Sequence, residues 1–383
     1  MIELSERVRA VRDLSREAAV DLRSRALAID TDPDAMDEHY GSPVFEMVRQ
    51  ADTPPQYRES LPSTPLLRAM ERGSCLENVA GLIELARGDV GAILACPSPG
   101  LAGVFVELLG TPEQQEWFFT RMHGGRRWSF FAMTEESRGN DATAMETRFD
   151  RDRDRDGDGW RLNGGKCYVG NAARGSVGVV FGRTGRGALS IRAALVEVPA
   201  PGWHGEKLDM IGLRGAYISR LSFSDVAVPA GRMLGDHLPA TRRGIFAAIT
   251  TFNHMRVRIA ASAVGTALAM VEYVLDHRKN APGGQLALAR AEAGRELVYE
   301  AAARIDRDPE RGYLSSAAKL GAVGLAVGTA HWASAALGPA GLIEHPLLEK
   351  WTRDVHAFEF MEGTGNIHRL HVARGYQAGD ADA

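Results

Sequence analysis

The sequence predicts a multidomain α+β protein: helices first, then a compact antiparallel barrel or sandwich of about 100 residues, then helices again. Three observations lead there. Between residues 4 and 27, apolar positions recur at helical spacing, as Val8, Val11, Leu14, Ala18 and Leu22. From residue 128 to 228 the texture changes to short β-branched and aromatic runs separated by turn chemistry. Beyond Gly235, long apolar faces of helical period return.

In order, the first helix gives way to an irregular, acidic, proline-containing stretch from 30 to 65. Helical pattern resumes at 78–87 and 90–96. Thr111-Pro112-Glu113-Gln114 reads as a cap, a proline at the first helical position and an acidic first turn. Strands are expected at 128–133, 160–162, 167–169, 177–181, 193–198 and 221–228, with Asn163-Gly164 as a hairpin turn. No helix-length segment separates them, which argues against parallel βαβ units. Helices follow at 252–278, 286–305 and 314–337. Leu347, Trp351, Val355 and Phe358 fall on one face of a last helix aimed at Glu362. The domains expected are a helical domain at 1–125, a barrel at 126–235 and a helical bundle at 236–383.

Composition narrows the function. The chain has 383 residues, 45% hydrophobic and 25% charged, with a net charge of −4. That balance lacks the concentrated basic face of a nucleic-acid binder. No run approaches the roughly 18 apolar residues of a membrane span, and the N-terminus lacks signal-peptide character. Cys75, Cys96 and Cys167 are widely spaced and odd in number, so neither a disulfide framework nor a metal site is expected, and a cytoplasmic location is. The Asp-rich segment 152–159 resembles the start of a calcium loop, but its twelfth position is Asn163 and its arginines would repel the cation. It reads as a solvated hairpin loop. His345, His356, His368 and His371 lack ligand spacing and read as surface or packed histidines.

Two segments carry candidate chemistry. In Phe360-Met361-Glu362-Gly363-Thr364-Gly365-Asn366, a carboxylate precedes a Gly-Thr-Gly turn. A dry pocket there would raise its pKa toward the range of a useful base. On local pattern alone an ordinary solvated Glu fits as well. Phe131-Ala132-Met133-Thr134 runs from a strand into a polar loop ending at Asn140-Asp141, with Thr134 and Asn140 as donors for a polar cofactor.

The residues from 131 to 141 resemble the Thr-Glu-Pro-Gly-x-Gly-Ser-Asp motif of the FAD-dependent acyl-CoA dehydrogenase family. The resemblance continues in order. Leu162-Asn163-Gly164-Gly165-Lys166-Cys167-Tyr168-Val169-Gly170-Asn171 is similar to the family's Asn-Gly-x-Lys-x-Trp-Ile-Thr-Asn, and Gly212-Leu213-Arg214 and Phe223-Ser224-Asp225-Val226-Ala227-Val228-Pro229 match two further motifs. Arg256 and Arg278 fall at family arginines, and Arg353-Asp354 with Met361-Glu362-Gly363-Thr364 resembles the closing Arg-Asp and Tyr-Glu-Gly-Thr. The resemblance runs from about residue 75 to 376, and its five ordered motifs extend over about 240 residues.

The resemblance implies an N-terminal helical domain, a middle β-barrel and a C-terminal four-helix bundle, assembled as a homodimer or homotetramer. It implies FAD, and Glu362 as the base that removes an acyl thioester's α-proton. The family's other base position is Met255 here, which cannot act. Phe131, Met133, Thr134, Asn140, Tyr168, Gly170, Thr364 and Asn366 would line FAD, and Arg278 would meet the FAD of a neighbouring subunit. Arg256, Asn253 and Gly363 would lie on the substrate side. The substrate expected is an acyl thioester of CoA or of an acyl carrier protein, with electron-transfer flavoprotein or oxygen as acceptor. The departures are Glu136-Ser137-Arg138 for Pro-Gly-Ala, Gly170 for a hydroxyl residue, Asn280-Ala281-Pro282 after Arg278, and Gly338-Pro339 for Gly-Gly. These resemble divergent biosynthetic members that oxidise carrier-bound units, for which Arg126, Arg127, Arg242 and Arg243 would form a basic rim. A flavin monooxygenase on the same fold is the alternative, and Glu362 argues against it.

Overall fold

The computed structural model describes residues 3–60, 63–71, 73–152, 159–309, 312–338 and 340–377. The N-terminal helices are α1 (Glu6–Thr31), α2 (Pro43–Ala51), α3 (Pro65–Met70), α4 (Cys75–Gly88), α5 (Val90–Ala95), α6 (Gly100–Leu109) and α7 (Pro112–Arg121). Their starts are chemically explicit. The Ser5 hydroxyl accepts from the Val8 N–H at 3.2 Å, and capping boxes open α4 (Ser74, Glu77) and α7 (Thr111, Gln114). Helix α2 falls in the stretch the sequence leaves irregular. Ser42 caps it and Pro43 begins it, a start signal hidden among acidic neighbours.

Among the described residues seven strands form one curled sheet: β1 (Ser129–Ala132), β2 (Arg148–Asp152), β3 (Gly159–Val169), β4 (Val177–Arg183), β5 (Ile191–Glu197), β6 (Trp203–Lys207) and β7 (Ser219–Pro229). The order is β1-β4-β2-β3-β7-β6, with β5 on β4. Two expectations are corrected. The sheet is not wholly antiparallel, because β1 runs parallel to β4, Ser129 opposite Val177. Asn163-Gly164 is not a hairpin turn either. It lies inside the continuous strand β3, where the register against β7 shifts between Leu162 and Gly164. Gly164 has φ +126°, and a Cβ there would sit 2.8 Å from the Thr147 Cα. The glycine therefore marks a bulge and a close backbone approach, the other use of such a residue. The Asp-rich segment falls at 153–158, outside the described residues, between the paired ends Asp152 and Gly159.

One sheet face closes on itself around Phe130, Phe149, Leu162, Val180, Phe223 and Val226. The other, through Val177, Val179 and Phe181 of β4, packs on α6 and α7. Strand β4 is buried on both faces, which explains its unbroken apolar run.

The C-terminal helices are α8 (Ile245–His277), α9 (Gly284–Arg307), α10 (Tyr313–Leu337), α11 (Gly341–Glu344), α12 (Pro346–Asp354) and α13 (Gly365–Gln377). Helix α8 is the spine, with Val257, Ala260, Val264, Leu268 and Val274 buried. Small residues let α4 approach it: a Cβ at Gly265 would lie 2.3 Å from the Ile83 carbonyl oxygen. The segment Ala240–His277 and α10 have the length and apolar character of a membrane span, and the first segment's apolar window is 72% buried within the protein. The expected single helix from 347 to 358 is also corrected: α12 ends at Asp354, and a 3-10 turn follows at Ala357–Glu359.

A buried ion network joins the three regions. Lys350 Nζ donates to Asp89 Oδ2 and to Asp354 Oδ2, each at 2.6 Å. Trp351 Nε1 donates to Asp89 at 3.1 Å, and the Leu213 N–H donates to Asp354 Oδ1 at 2.6 Å. Asp89 also caps α5 through the Ala92 N–H. One lysine on α12 thus holds the helical layer, the sheet's connecting turn and the bundle together.

Candidate active site

Glu362 lies in the turn between the 3-10 segment and α13, not at the end of α12. Its φ is +53° and that of Gly363 is +101°. A left-handed glutamate is uncommon and costs energy, so neighbouring groups must hold it. They do so through the backbone. Arg256 Nε of α8 donates to the Glu362 carbonyl at 3.4 Å. Lys319 Nζ of α10 donates to the Glu359 carbonyl at 3.4 Å and to the Met361 and Gly363 carbonyls. His368 Nε2 bonds the Gly363 carbonyl at 2.9 Å, and its Nδ1 meets the Ser316 hydroxyl at 3.2 Å. The Glu359 carboxylate accepts from the Gly365 N–H at 2.7 Å and so caps α13.

Around Glu362 the electrostatics are uneven. Burial raises its pKa above the ordinary carboxylate range, against the charges of Lys319, Arg256 and Arg258. Among the described residues no cation pairs directly with the carboxylate. Burial also pushes Lys319 down to about 8, Arg256 down to about 10 and His368 down to about 3. His368 is therefore neutral. Since the Gly363 oxygen only accepts, Nε2 carries the proton and Nδ1 accepts from Ser316.

The sheet supplies the facing edge. Phe131 sits in an aromatic cluster, its ring centroid 4.7 Å from Phe105, 5.1 Å from Phe181 and 6.3 Å from Phe252. The Met133 carbonyl accepts from Lys166 Nζ and the Thr134 carbonyl from the Cys167 N–H, both at 2.9 Å, which sets the end of β1 beside Tyr168. Lys166 is fully buried and pairs with Glu135 at 2.9 Å. Burial acts to raise the Glu135 pKa, but Lys166 and the Glu146 and Thr147 donors outweigh it, and the carboxyl stays below its usual value. Tyr168 has φ +60° and presents a ring 56% exposed. Gly170 has only the Ala216 oxygen near its missing Cβ, at 3.5 Å. The Thr364 hydroxyl donates to Asn140 Oδ1 at 3.1 Å, joining the loop after β1 to the Glu362 turn.

The structure thus brings Arg256 to the Glu362 carbonyl and Asn140 to Thr364, two residues beyond Glu362, while the Thr134 carbonyl accepts from the N–H of Cys167, the neighbour of Tyr168. Asn366 is exposed on α13 and accepts from Arg369. Asn253 is buried, and its side chain is taken up by the Pro309 carbonyl and Arg256. Arg278 lies at the far end of α8, donating to the Ala336 carbonyl, away from this chain's Glu362. The proposed basic rim is partly engaged, with Arg126 over the Tyr40 ring and Arg127 donating to the Arg121 carbonyl.

Sequence reading missed Lys319, Ser316, Arg258 and Asp52. Lys319 stands among alanines and glycines on α10 and is 1% exposed, and a lone lysine in an apolar helix face was the available signal. Arg258 is exposed while Val257 and Ile259 beside it are buried. Burial raises the Asp52 pKa, opposed by Arg258 and by the neighbouring Ser98 hydroxyl and Gly100 backbone.

A mostly antiparallel sheet between two helical regions, with a glutamate lifted in pKa by burial on a left-handed turn and an exposed tyrosine at a strand end, is an arrangement suited to a flavoenzyme of the dehydrogenase class. Comparison with known proteins gives the family. The family models "Acyl-CoA dehydrogenase, middle domain" and "Acyl-CoA dehydrogenase, C-terminal domain" match residues 130–226 and 242–377. The probable acyl-CoA dehydrogenase FadE25 of Mycobacterium tuberculosis is 30% identical over 309 residues, covering 76% of this chain and 77% of that protein. The human mitochondrial short-chain specific acyl-CoA dehydrogenase is 30% identical over 320 residues, covering 77% and 75%. Among solved structures, butyryl-CoA dehydrogenase from Megasphaera elsdenii superposes with a TM-score of 0.82 at 23% identity over 98% of this chain and all of its own. The prolyl acyl carrier protein oxidase AnaB does so at 0.80 and 22%, over 97% of this chain and 99% of its own. The chain belongs to the acyl-CoA dehydrogenase family, whose members are FAD-dependent oxidoreductases acting on acyl thioesters. The residues present fit that cofactor: an exposed aromatic residue, polar side chains on the loop after β1, and a hydroxyl bridge from that loop to Thr364 in the turn that carries Glu362.

Proposed function

We propose that the protein dehydrogenates an acyl thioester between Cα and Cβ, with Glu362 removing the α-proton. The observation that supports this most is a carboxyl lifted in pKa by burial, left without a direct cation partner, on a turn held by its own carbonyls. A positioned base needs both features. Thr134, Asn140, Tyr168 and Thr364 would hold FAD, with Phe131, Met133, Gly170 and Asn366 beside it. Bound FAD supplies the hydride acceptor that no side chain can provide. Arg256 and Gly363 would lie on the substrate side, and the Glu362 N–H would donate to the thioester carbonyl as charge develops there.

Arg258 places charge near the carboxyl and acts on Asp52 as well, and this polarity would favour a short acyl group with a polar substituent over a long alkyl chain. The thioester is carried by CoA or by an acyl carrier protein. The likeness in fold to AnaB and the altered loop at Glu136-Ser137-Arg138 support the second. Electron-transfer flavoprotein or oxygen takes the electrons, the location is cytoplasmic, and Arg278 would complete the FAD site of a neighbouring subunit in a homodimer or homotetramer. The domains are divided near residues 125 and 235.

The test is a panel of CoA and carrier thioesters mixed anaerobically with the holoenzyme, with flavin bleaching followed by absorbance. Polar short-chain thioesters should bleach the flavin fastest, and Glu362→Gln should abolish the effect. Equal bleaching by the Gln variant removes Glu362 from the reaction.

A further inference from the structure

Lys319 has no assigned role, yet its surroundings are specific. It is buried on α10, and among the described residues no carboxylate pairs with its ammonium. It bonds the carbonyls of Glu359, Met361 and Gly363, residues that flank Glu362 on both sides. Arg256 takes the Glu362 carbonyl itself. The turn's oxygens are therefore gathered onto two cations. Ser316, one helical turn before Lys319 on the same face, completes the fastening through His368 to the Gly363 carbonyl.

Two physical effects follow from one side chain. Three carbonyls converging on one ammonium fix the backbone of a turn that positive φ would otherwise make unstable. A buried positive charge close to Glu362 favours its ionised form, where the low local dielectric strengthens the interaction. Of the charges that oppose the burial of Glu362, Lys319 contributes most.

We propose that Lys319 is a positioning residue that fastens the Glu362 turn by its carbonyls and, by its charge, keeps the base ionised at working pH. This inference rests on Glu362 being the base, and it concerns how that base is kept ready. The hydrogen bonds of Lys319 go to backbone carbonyls of the turn. Its position on α10 lets it act on the carboxylate through space without neutralising it by a salt bridge.

The experiment compares wild type, Lys319→Met, Lys319→Gln and His368→Gln holoenzymes, each corrected for bound FAD per chain. The pH dependence of kcat/KM is measured with the thioester that wild type uses fastest. The acid limb should move up by roughly one pH unit in both Lys319 variants, because an opposite charge beside the carboxylate has gone. It should stay in place in His368→Gln, which keeps the cation. Should Lys319→Met fail to fold, Lys319→Gln, which can still donate to a carbonyl, decides the matter in the same way. An acid limb unmoved in Lys319→Gln overturns the proposal, as does an equal movement in His368→Gln. A second readout is independent of turnover: infrared titration of the carboxyl band that Glu362→Gln removes, in the absence of substrate. That band should titrate at higher pH in the Lys319 variants. If wild type consumes no thioester, the proposed reaction fails while the infrared titration still judges the role of Lys319.

Discussion

Two buried lysines in this molecule have opposite surroundings. Lys350 meets two carboxylates, Asp89 and Asp354, at 2.6 Å each, and this raises its pKa against the effect of burial. Lys319 meets backbone carbonyls, and burial lowers it to about 8. In the first case charge is cancelled locally, and the product is a rigid junction. In the second the cation is held by dipoles, so its field reaches a glutamate that stays unpaired. The lesson is that a buried ion pair closes a structure, whereas a buried ion beside an unpaired partner prepares a reaction.

The largest expected effect breaks the comparison on its reactive side. Glu362→Gln should lower the rate of flavin bleaching by about a thousandfold or more, since the proton acceptor is removed, with FAD content unchanged. Stopped-flow absorbance reads this directly. On the closed side, Lys350→Met leaves Asp89 and Asp354 buried without a cation. It should cost ~3–5 kcal/mol of stability in a urea melt, while the folded fraction keeps the wild-type acid limb of kcat/KM. A shifted limb there would mean that the two networks are coupled.

A smaller effect sharpens the reading of the pocket. Arg258→Met should narrow the preference for a polar acyl group over its alkyl counterpart by about tenfold in kcat/KM, the scale of one lost contact. The smallest effect lies in stability against pH. His368 is held near 3 in the fold and returns to an ordinary value when unfolded, so the unfolded chain binds the extra proton first. Its contribution is complete above about 6.5 and is lost as pH falls toward about 3. His368→Gln should make the acid decline of the melting temperature shallower across that window.

Much of the scaffold was legible because it follows local rules. Thr111 and Pro112 announce α7, and the apolar faces of α1, α8, α9 and α10 follow the helical period. Glu362, Thr134, Asn140 and Tyr168 stand in ordered motifs, and the structure joins the Asn140 loop to the Glu362 turn through Thr364. What was not legible depended on partners distant in sequence. Asn163-Gly164 has the local chemistry of a turn, but β7 pairs on both sides of it and makes it a bulge. Phe358 continues the apolar spacing of α12, but the helix has already ended at Asp354, whose carboxylate is taken up by Leu213 and Lys350. The lone Lys319 on an apolar helix face signals a buried cation but not its partners, because the oxygens it binds lie forty or more residues later.

The Lys350 junction also bears on how such enzymes can be recombined. Its bonds run from α12 to residues 261 positions earlier on the chain and to the turn before β7. Grafting a bundle or a sheet from a relative would leave one side of that junction facing a stranger, with an ion stranded in the interior. Chimeras cut at the domain borders should fold only when positions 89, 350 and 354 are transplanted as a set, with any residue but proline at 213 to supply the backbone N–H, which makes the three a unit of inheritance that domain borders do not respect.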